Sequence, residues 1–237
     1  MDSGGRARGR GAVQGIVKAT VIVPAYQEEK GLPMVLDELS KLADGYEIIV
    51  VDDGSVDRTS ETARRYPVTL IRHEVNKGKG EALRTGMQAA HGEKVIWIDA
   101  DGTYPVEYVP RVAAALDTYD IVVCSRKFGR GNIPLLNRAG NFAFRTMIKY
   151  IYGFKPFDPC SGLYGVRKQH LDRMSLFSNG FAIEPEISIK ASRMKLKMQD
   201  IPIKYGIRVG TTKLNSFHAG WDDLVTIFRL LFWKPRR

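Results

Sequence analysis

Three short stretches carry carboxylates where their spacing allows chemistry. In IDADG, Asp99 and Asp101 stand two residues apart, where the apolar run KVIWI enters a polar turn. Residues two apart in extended chain point the same way, so both carboxylates face one pocket beyond the strand's carboxyl end. Hard oxygen ligands of this kind suit Mg2+ or Mn2+ bridging a diphosphate, where the cation offsets charge building on a leaving group. A second acidic pair, Asp52 and Asp53, ends the run IIVV, and Gly54 and Ser55 turn the chain onward. Ser55 can simply cap a helix there. The first apolar run ends in PAYQEE, where Tyr26 offers an aromatic face for a base and Glu28 a carboxylate. A turn or cap accounts for any one of these clusters. Three strand ends delivering carboxylates to one edge are better explained by a nucleotide and metal site.

Those residues need a scaffold that brings strand ends together. From residue 18 onward, short β-branched runs alternate with longer amphipathic stretches, the pattern of strands joined by crossover helices over a parallel sheet. Strands are predicted at Ala19 to Pro24, Tyr46 to Asp52, Val68 to Arg72, Lys94 to Asp99 and Asp120 to Ser125. Between them PMVLDELSKLA, DRTSETARRY, GEALRTGMQAA and PVEYVPRVAAALD read as helices. After Ser125 a basic, aromatic stretch leads into DPCSGLYGVRK, a helix over Phe181 to Met194, a strand through IPIKYGIR and a last helix over Trp221 to Trp233. No internal repeat or long linker divides the chain. The reading is one catalytic domain over 18–237, with a nucleotide half (18–125), an acceptor half (126–220) and a C-terminal helix with a basic tail (221–237).

Bulk composition agrees with this reading. The chain has 237 residues and 44% hydrophobic content, enough for an extensive core. Its 36 basic against 26 acidic residues give +10, which favours phosphate-bearing partners. Part of that excess sits in the leader over 1–17 (Arg6, Arg8, Arg10), read as disordered, and at the end (Lys234, Arg236, Arg237). The leader lacks an apolar core, so the folded part is expected in the cytoplasm. Cys124 and Cys160 lie outside any CxxC and are read as reduced thiols without a metal role. WDDLVTIFRLLFW is dense in apolar residues and runs into KPRR. As a helix it rises only about 20 Å against a hydrocarbon core of about 30 Å, so it does not span. It packs on the domain, or it lies peripherally at the cytoplasmic membrane face with its basic end on anionic headgroups.

The motifs VIVPAYQEE, VVDDGSVDRT, NKGKGEALRTG and IDADGTYP closely resemble those of family 2 glycosyltransferases with the GT-A fold. SRKFGRG, DPCSGLYGVRK, FAIEPEISIKA and IRVGTTKL resemble the dolichol-phosphate mannose synthase branch and related polyprenyl-phosphate sugar transferases. The resemblance covers roughly residues 18 to 230. It implies an α/β, Rossmann-like three-layer sandwich with a mostly parallel central sheet. It also implies that Pro24, Tyr26, Glu28 and Asp53 hold the base and ribose of a UDP- or GDP-sugar, with Lys79 near the donor. Asp99 would lie against the nucleotide, and Asp99 and Asp101 at the metal. Many of these synthases carry Gln where this chain has Thr103, which leaves one metal ligand to a water. Arg126, Arg138 and Arg208 match basic positions that serve phosphate groups in this branch, and Lys213 lies in the matching GTTKL segment. Should the acceptor instead be a hydroxyl on a soluble small molecule or glycoside, Glu186 or Asp158 is the candidate base.

Competing classes fail on motif order. A dinucleotide-dependent dehydrogenase needs GxGxxG after its first strand, where this chain has PAYQEE. NKGKGEAL lacks the order of a phosphate-cradling GxxxxGK[ST] loop, and the Gly-rich loop and arginine of a sugar-nucleotide pyrophosphorylase are missing after the first strand. Nucleic acid is not an expected partner, because convergent carboxylates repel a phosphate backbone. The expected reaction is an inverting single displacement resting on positioning and electrostatics. An anionic phosphate acceptor needs clamping by arginine more than a general base; a hydroxyl acceptor needs the base.

Overall fold

The computed structural model describes residues 17–42, 44–211 and 216–235. Lys213, most of the leader and the last two arginines lie outside these described residues.

Seven strands form one sheet: β1 (Ala19–Ala25), β2 (Tyr46–Asp52), β3 (Thr69–Arg72), β4 (Lys94–Ile98), β5 (Ile121–Phe128), β6 (Leu163–Arg167) and β7 (Met198–Lys204). Their order is β3-β2-β1-β4-β6-β5-β7. All neighbours are parallel except β6, which runs antiparallel to both β4 and β5. Among the described residues eight α-helices accompany them: α1 (Leu32–Leu39), α2 (Thr59–Ala63), α3 (Lys79–Ala89), α4 (Val109–Ala115), α5 (Leu135–Tyr152), α6 (Leu171–Met174), α7 (Ile183–Arg193) and α8 (Ser216–Arg229).

Strand alternation builds a layer on each face. Val21, Val23, Ile96 and Ile98 turn to one side and pack with Leu32, Leu36, Val109 and Val112 of α1 and α4. Ile22, Val95 and Trp97 turn to the other and pack with Leu83, Met87, Ile183 and Ile187 of α3 and α7. The continuous apolar runs noted in the sequence are thus strands covered twice. Trp97 and Tyr164 stack across β4 and β6, centroids 5.2 Å apart and 7° from parallel. At Gly86 a Cβ would come within 2.5 Å of Ile22 Cγ2, so α3 reaches its distance from β1 only with glycine there.

The order places β1 between β2 and β4, so the chain leaves β1 in one direction and returns on its other side. Ligands bind in the crevice beyond the carboxyl ends of strands at such a reversal. Ala25 is level with Asp52, and Ile98 pairs with Leu163. The ends of β1, β2 and β4 therefore open on one edge, as the carboxylate argument requires.

The rear half differs from the sequence reading. The stretch beyond Ser125 contains an 18-residue helix, α5, of which only Ile148 is buried. The motif DPCSGLYGVRK contains β6, a short strand with Gly165 at its centre, paired with Ile96 and Val122. The strand expected through IPIKYGIR begins at Met198 and stops at Lys204, so Arg208 lies in the loop beyond it. The final helix begins at Ser216 and ends in a 3-10 turn over Leu230–Phe232. It packs on the fold through Ile227 and Leu230, which join Ile148 and Ile189 in a small third cluster. No helix among the described residues is long and apolar enough to cross a membrane. Neither Cys124 nor Cys160 forms a disulfide.

Candidate active site

The β4 turn carries the centre of the site. Asp99 pairs with Lys79 Nζ at 2.7 Å, and the same ammonium pairs with Glu184 at 2.6 Å. Lys79 opens α3 and Glu184 lies in the first turn of α7, so two helix starts converge on the end of β4. Gly162 lies against Asp99, where a Cβ would fall 2.0 Å from Oδ2. Asp101 turns inward: its Oδ1 accepts from the Thr103 amide (3.0 Å) and hydroxyl (2.6 Å), and its Oδ2 from Arg208 (2.5 Å). Arg208 also donates to Glu28 Oε1. The expected partners Glu28, Lys79, Asp99 and Asp101 are thus brought together.

Four carboxylates (Glu28, Asp99, Asp101, Glu184) meet two cations (Lys79, Arg208), leaving two negative charges when all are ionised. Burial raises the Asp99 and Glu184 carboxyls above their ordinary values, and although Lys79 opposes this, the rise remains. Lys79 is pushed above its own ordinary value because Asp99 and Glu184 together outweigh its burial. Among the described residues no three His, Cys, Asp or Glu side chains form a ready-made metal cage. A divalent cation nevertheless fits the donor set of two carboxylates. Mg2+ is usually held by one or two carboxylates together with substrate phosphates, not by an all-protein cage.

Asp52 and Asp53 serve the scaffold around this centre. Asp52 is fully buried and accepts from the Ser55 amide (2.9 Å) and from Ser60. Asp53, expected against base and ribose, accepts from the amides of Lys77 (3.0 Å) and Gly78 (2.8 Å) and bonds His73 Nδ1 (2.6 Å). It thereby fixes the turn that delivers Lys79. His73 went unnoticed in the sequence because nothing in its spacing links it to Asp53. Pro24 lies in β1 opposite Val51, and Tyr26 just beyond the strand; both remain partly exposed.

Beyond β5 lies a second region. Arg126 Nε and Nη2 each donate to Asp158 at 2.8 Å, and its amide adds a third bond at 3.1 Å. Burial opposes ionisation of Asp158, but the charge and hydrogen bonds of Arg126 outweigh it and hold the carboxyl below its ordinary value. The pair borders a cavity of about 770 Å3 whose basic lining is Arg126, Lys127, Arg138, Arg145 and Lys155. Ile133, Leu135, Phe142 and Phe157 add an apolar wall. Arg145, on α5, and Lys155, in the loop after it, are not singled out by the sequence, which gives neither a motif of its own.

Two expected residues stand apart from that cavity. Arg208 belongs to the carboxylate cluster, because β7 ends before it and the following loop turns back over Asp101. Glu186 is fully buried, accepts from the Phe177 (3.0 Å) and Ser178 (2.8 Å) amides, and pairs with Lys190. Positions two apart on a helix lie about 200° apart around its axis. Glu184 therefore faces the site and Glu186 faces away.

The sequence model of glycosyl transferase family 2 matches residues 20–175. The dolichyl-phosphate hexose transferase of Haloferax volcanii is 33% identical over 202 residues, which span 84% of this chain and 88% of that protein. The dolichol-phosphate mannosyltransferase of Pyrococcus furiosus is 32% identical over 92% of this chain but 65% of its own length. Among solved structures, glucosyl-3-phosphoglycerate synthase from Mycobacterium tuberculosis, in complex with Mn2+, UDP and glucosyl-3-phosphoglycerate, superposes with a TM-score of 0.68. It is 26% identical, covering 89% of this chain and 78% of that one. Its fold is the mixed, mostly parallel sheet between helical layers described above, and with the match over 20–175 it makes this chain a glycosyltransferase of family 2.

Proposed function

We propose that the protein transfers a sugar from a UDP- or GDP-sugar to the phosphate of a polyprenyl (dolichyl-type) phosphate, inverting the anomeric carbon. The observation that carries this reading is the basic cavity with an apolar wall beside the carboxylate cluster. A lipid phosphate matches both parts: guanidinium groups suit its phosphate, and apolar side chains its first isoprene units. The names of the relatives from H. volcanii and P. furiosus point to the same acceptor class.

In the reaction an acceptor phosphate oxygen attacks the anomeric carbon as the bond to the nucleoside diphosphate breaks, and the leaving group takes the electron pair. Phosphate monoesters are anionic near neutrality, since their second pKa is about 6. No carboxylate base is therefore required. Asp158 is held in a bidentate ion pair and Glu186 is buried against backbone amides, so neither is disposed to act as one. Arg126, Arg138, Arg145 and Lys155 would orient the acceptor phosphate, and Lys79 would bring positive charge to the donor. Asp99 and Asp101 would hold Mg2+ or Mn2+, which supplies charge stabilisation to the leaving diphosphate. The presence of Mn2+ and UDP in the M. tuberculosis synthase supports this assignment.

We also assign the protein a peripheral membrane position. On α8 and the turn after it, Trp221, Val225, Phe228 and Phe232 are exposed, and on α5 Leu135, Leu136 and Phe142 are exposed. Lys234 follows after Trp233. An apolar helix face ending in a basic residue suits the headgroup boundary of an anionic bilayer. The combined reading is tested by incubating the protein with nucleotide sugars and Mn2+ on vesicles containing polyprenyl phosphate. Sugar phosphate lipid is the expected product; transfer to soluble alcohols alone would reject the acceptor assignment.

A further inference from the structure

Arg208 lies across the carboxylates that the proposed metal would use. Its Nη1 donates to Asp101 Oδ2 at 2.5 Å and its Nη2 to Glu28 Oε1. The backbone beneath is fixed independently: the Gly206 amide donates to the Thr103 carbonyl at 2.8 Å, and the Val209 amide to the Asp101 carbonyl at 3.0 Å. Tyr205 adds an edge-on contact with Tyr104 at 5.3 Å between centroids. The guanidinium is less completely held. Its Nε is buried with no hydrogen-bond partner, and the side chain is 31% exposed. A rotation of the side chain alone would move the charge while leaving the loop in place.

Asp101 leaves little choice to an incoming cation. Its Oδ1 already accepts twice from Thr103, so Oδ2 is the oxygen on which a divalent ion would have to settle. A guanidinium and a divalent ion cannot share that oxygen, because like charges a few ångström apart repel strongly in a partly buried site. We infer that Arg208 is a resident counter-ion of the donor site, displaced from Asp101 when the divalent cation binds, and that its freed guanidinium then pairs with the diphosphate of the donor. Bidentate pairing with phosphate oxygens is the chemistry for which a guanidinium is best suited. Arg208 thereby serves the nucleoside diphosphate, not the acceptor phosphate. This inference rests on the metal reading given above.

The exchange predicts two effects of opposite sign. Without Arg208 the cation meets no competitor and binds more tightly, whereas the nucleoside diphosphate loses a partner and binds more weakly. The test is Mn2+ binding to the wild type, Arg208→Ala and Arg208→Gln, read from the electron paramagnetic resonance of free Mn2+ without nucleotide. UDP and GDP binding at saturating Mn2+ then follows by calorimetry. Both neutral variants are expected to bind Mn2+ roughly tenfold tighter and their preferred nucleotide roughly tenfold weaker, within the usual range of coupling between sites. Arg208→Lys, which keeps the charge, should stay near the wild type for Mn2+. Melting temperatures identify any variant that fails to fold, and the second neutral variant then decides. Unchanged or weaker Mn2+ binding in a folded neutral variant overturns the inference while the metal reading stands, and so does unchanged nucleotide affinity. Mn2+ binding that survives Asp101→Ala overturns both.

Discussion

Arg126 grips Asp158 through both carboxylate oxygens at 2.8 Å, and both residues line the basic cavity. Both side chains are largely buried. Removing one partner leaves a charge without its counter-ion, so Arg126→Ala and Asp158→Asn should each cost about 3 kcal/mol of stability, and the double variant less than their sum. Folding depresses the Asp158 pKa. The stability it contributes is therefore present above the ordinary aspartate range and lost as pH falls through the depressed value. The stability gap between the wild type and Arg126→Ala, from denaturant melts followed by circular dichroism at successive pH values, should therefore shrink as pH falls through the aspartate range; a gap that does not change with pH would deny the pair this role.

Asp101→Ala should abolish nearly all transfer while the protein remains folded, because Asp101 lies at a strand end outside the apolar clusters. A rate above about a tenth of the wild type, equal to roughly 1.4 kcal/mol of barrier, would remove Asp101 from the metal site.

Glu184 and Glu186 should respond differently despite their spacing. Glu184→Gln takes one of two carboxylates from Lys79 and should lower transfer without a large loss of stability. Glu186→Gln leaves the fully buried Lys190 without its carboxylate, with only the Ser175 carbonyl to accept from it, and should cost about 3 kcal/mol, with activity per folded molecule preserved. Thermal melts beside single-turnover rates distinguish the two, and equal losses of activity would contradict the assignment.

The two sides of α8 should also separate. Replacing the exposed Trp221, Phe228 and Phe232 together with Ser should release the protein from anionic vesicles in flotation assays with little change in melting temperature. Ile227→Ala removes fully buried volume and should cost about 2 to 5 kcal/mol of stability. Vesicle binding that persists in the triple variant would reject the membrane surface.

The nucleotide half was legible because its signals are local. Apolar runs such as KVIWI end in polar turns, and Asp99 and Asp101 both lie in the turn that follows β4, which ends at Ile98 and not at Asp99. The rear half depends on pairings that spacing does not reveal. β6 enters the sheet antiparallel between β4 and β5, and only that insertion brings Gly162 against Asp99. The sequence singles out Glu186 and passes over Glu184, because only the phase of α7 decides which of the two faces the site. Arg208 matched a phosphate-binding position by motif, but its contacts with Glu28 and Asp101 span 180 and 107 residues of sequence. Asp53 was read correctly as a strand-end carboxylate, yet its partner His73 comes from beyond the next strand.

The most direct test of the account is a product measurement. The protein is mixed with UDP- and GDP-sugars and Mn2+, offered polyprenyl phosphate in vesicles beside soluble alcohols and 3-phosphoglycerate, and the products are weighed by mass spectrometry with and without chelator. The account predicts a sugar-phosphate-polyprenyl lipid, formed only with the divalent cation and lost in Arg126→Ala. A glycoside of a soluble acceptor with the lipid untouched, or lipid product formed equally in chelator, would contradict it.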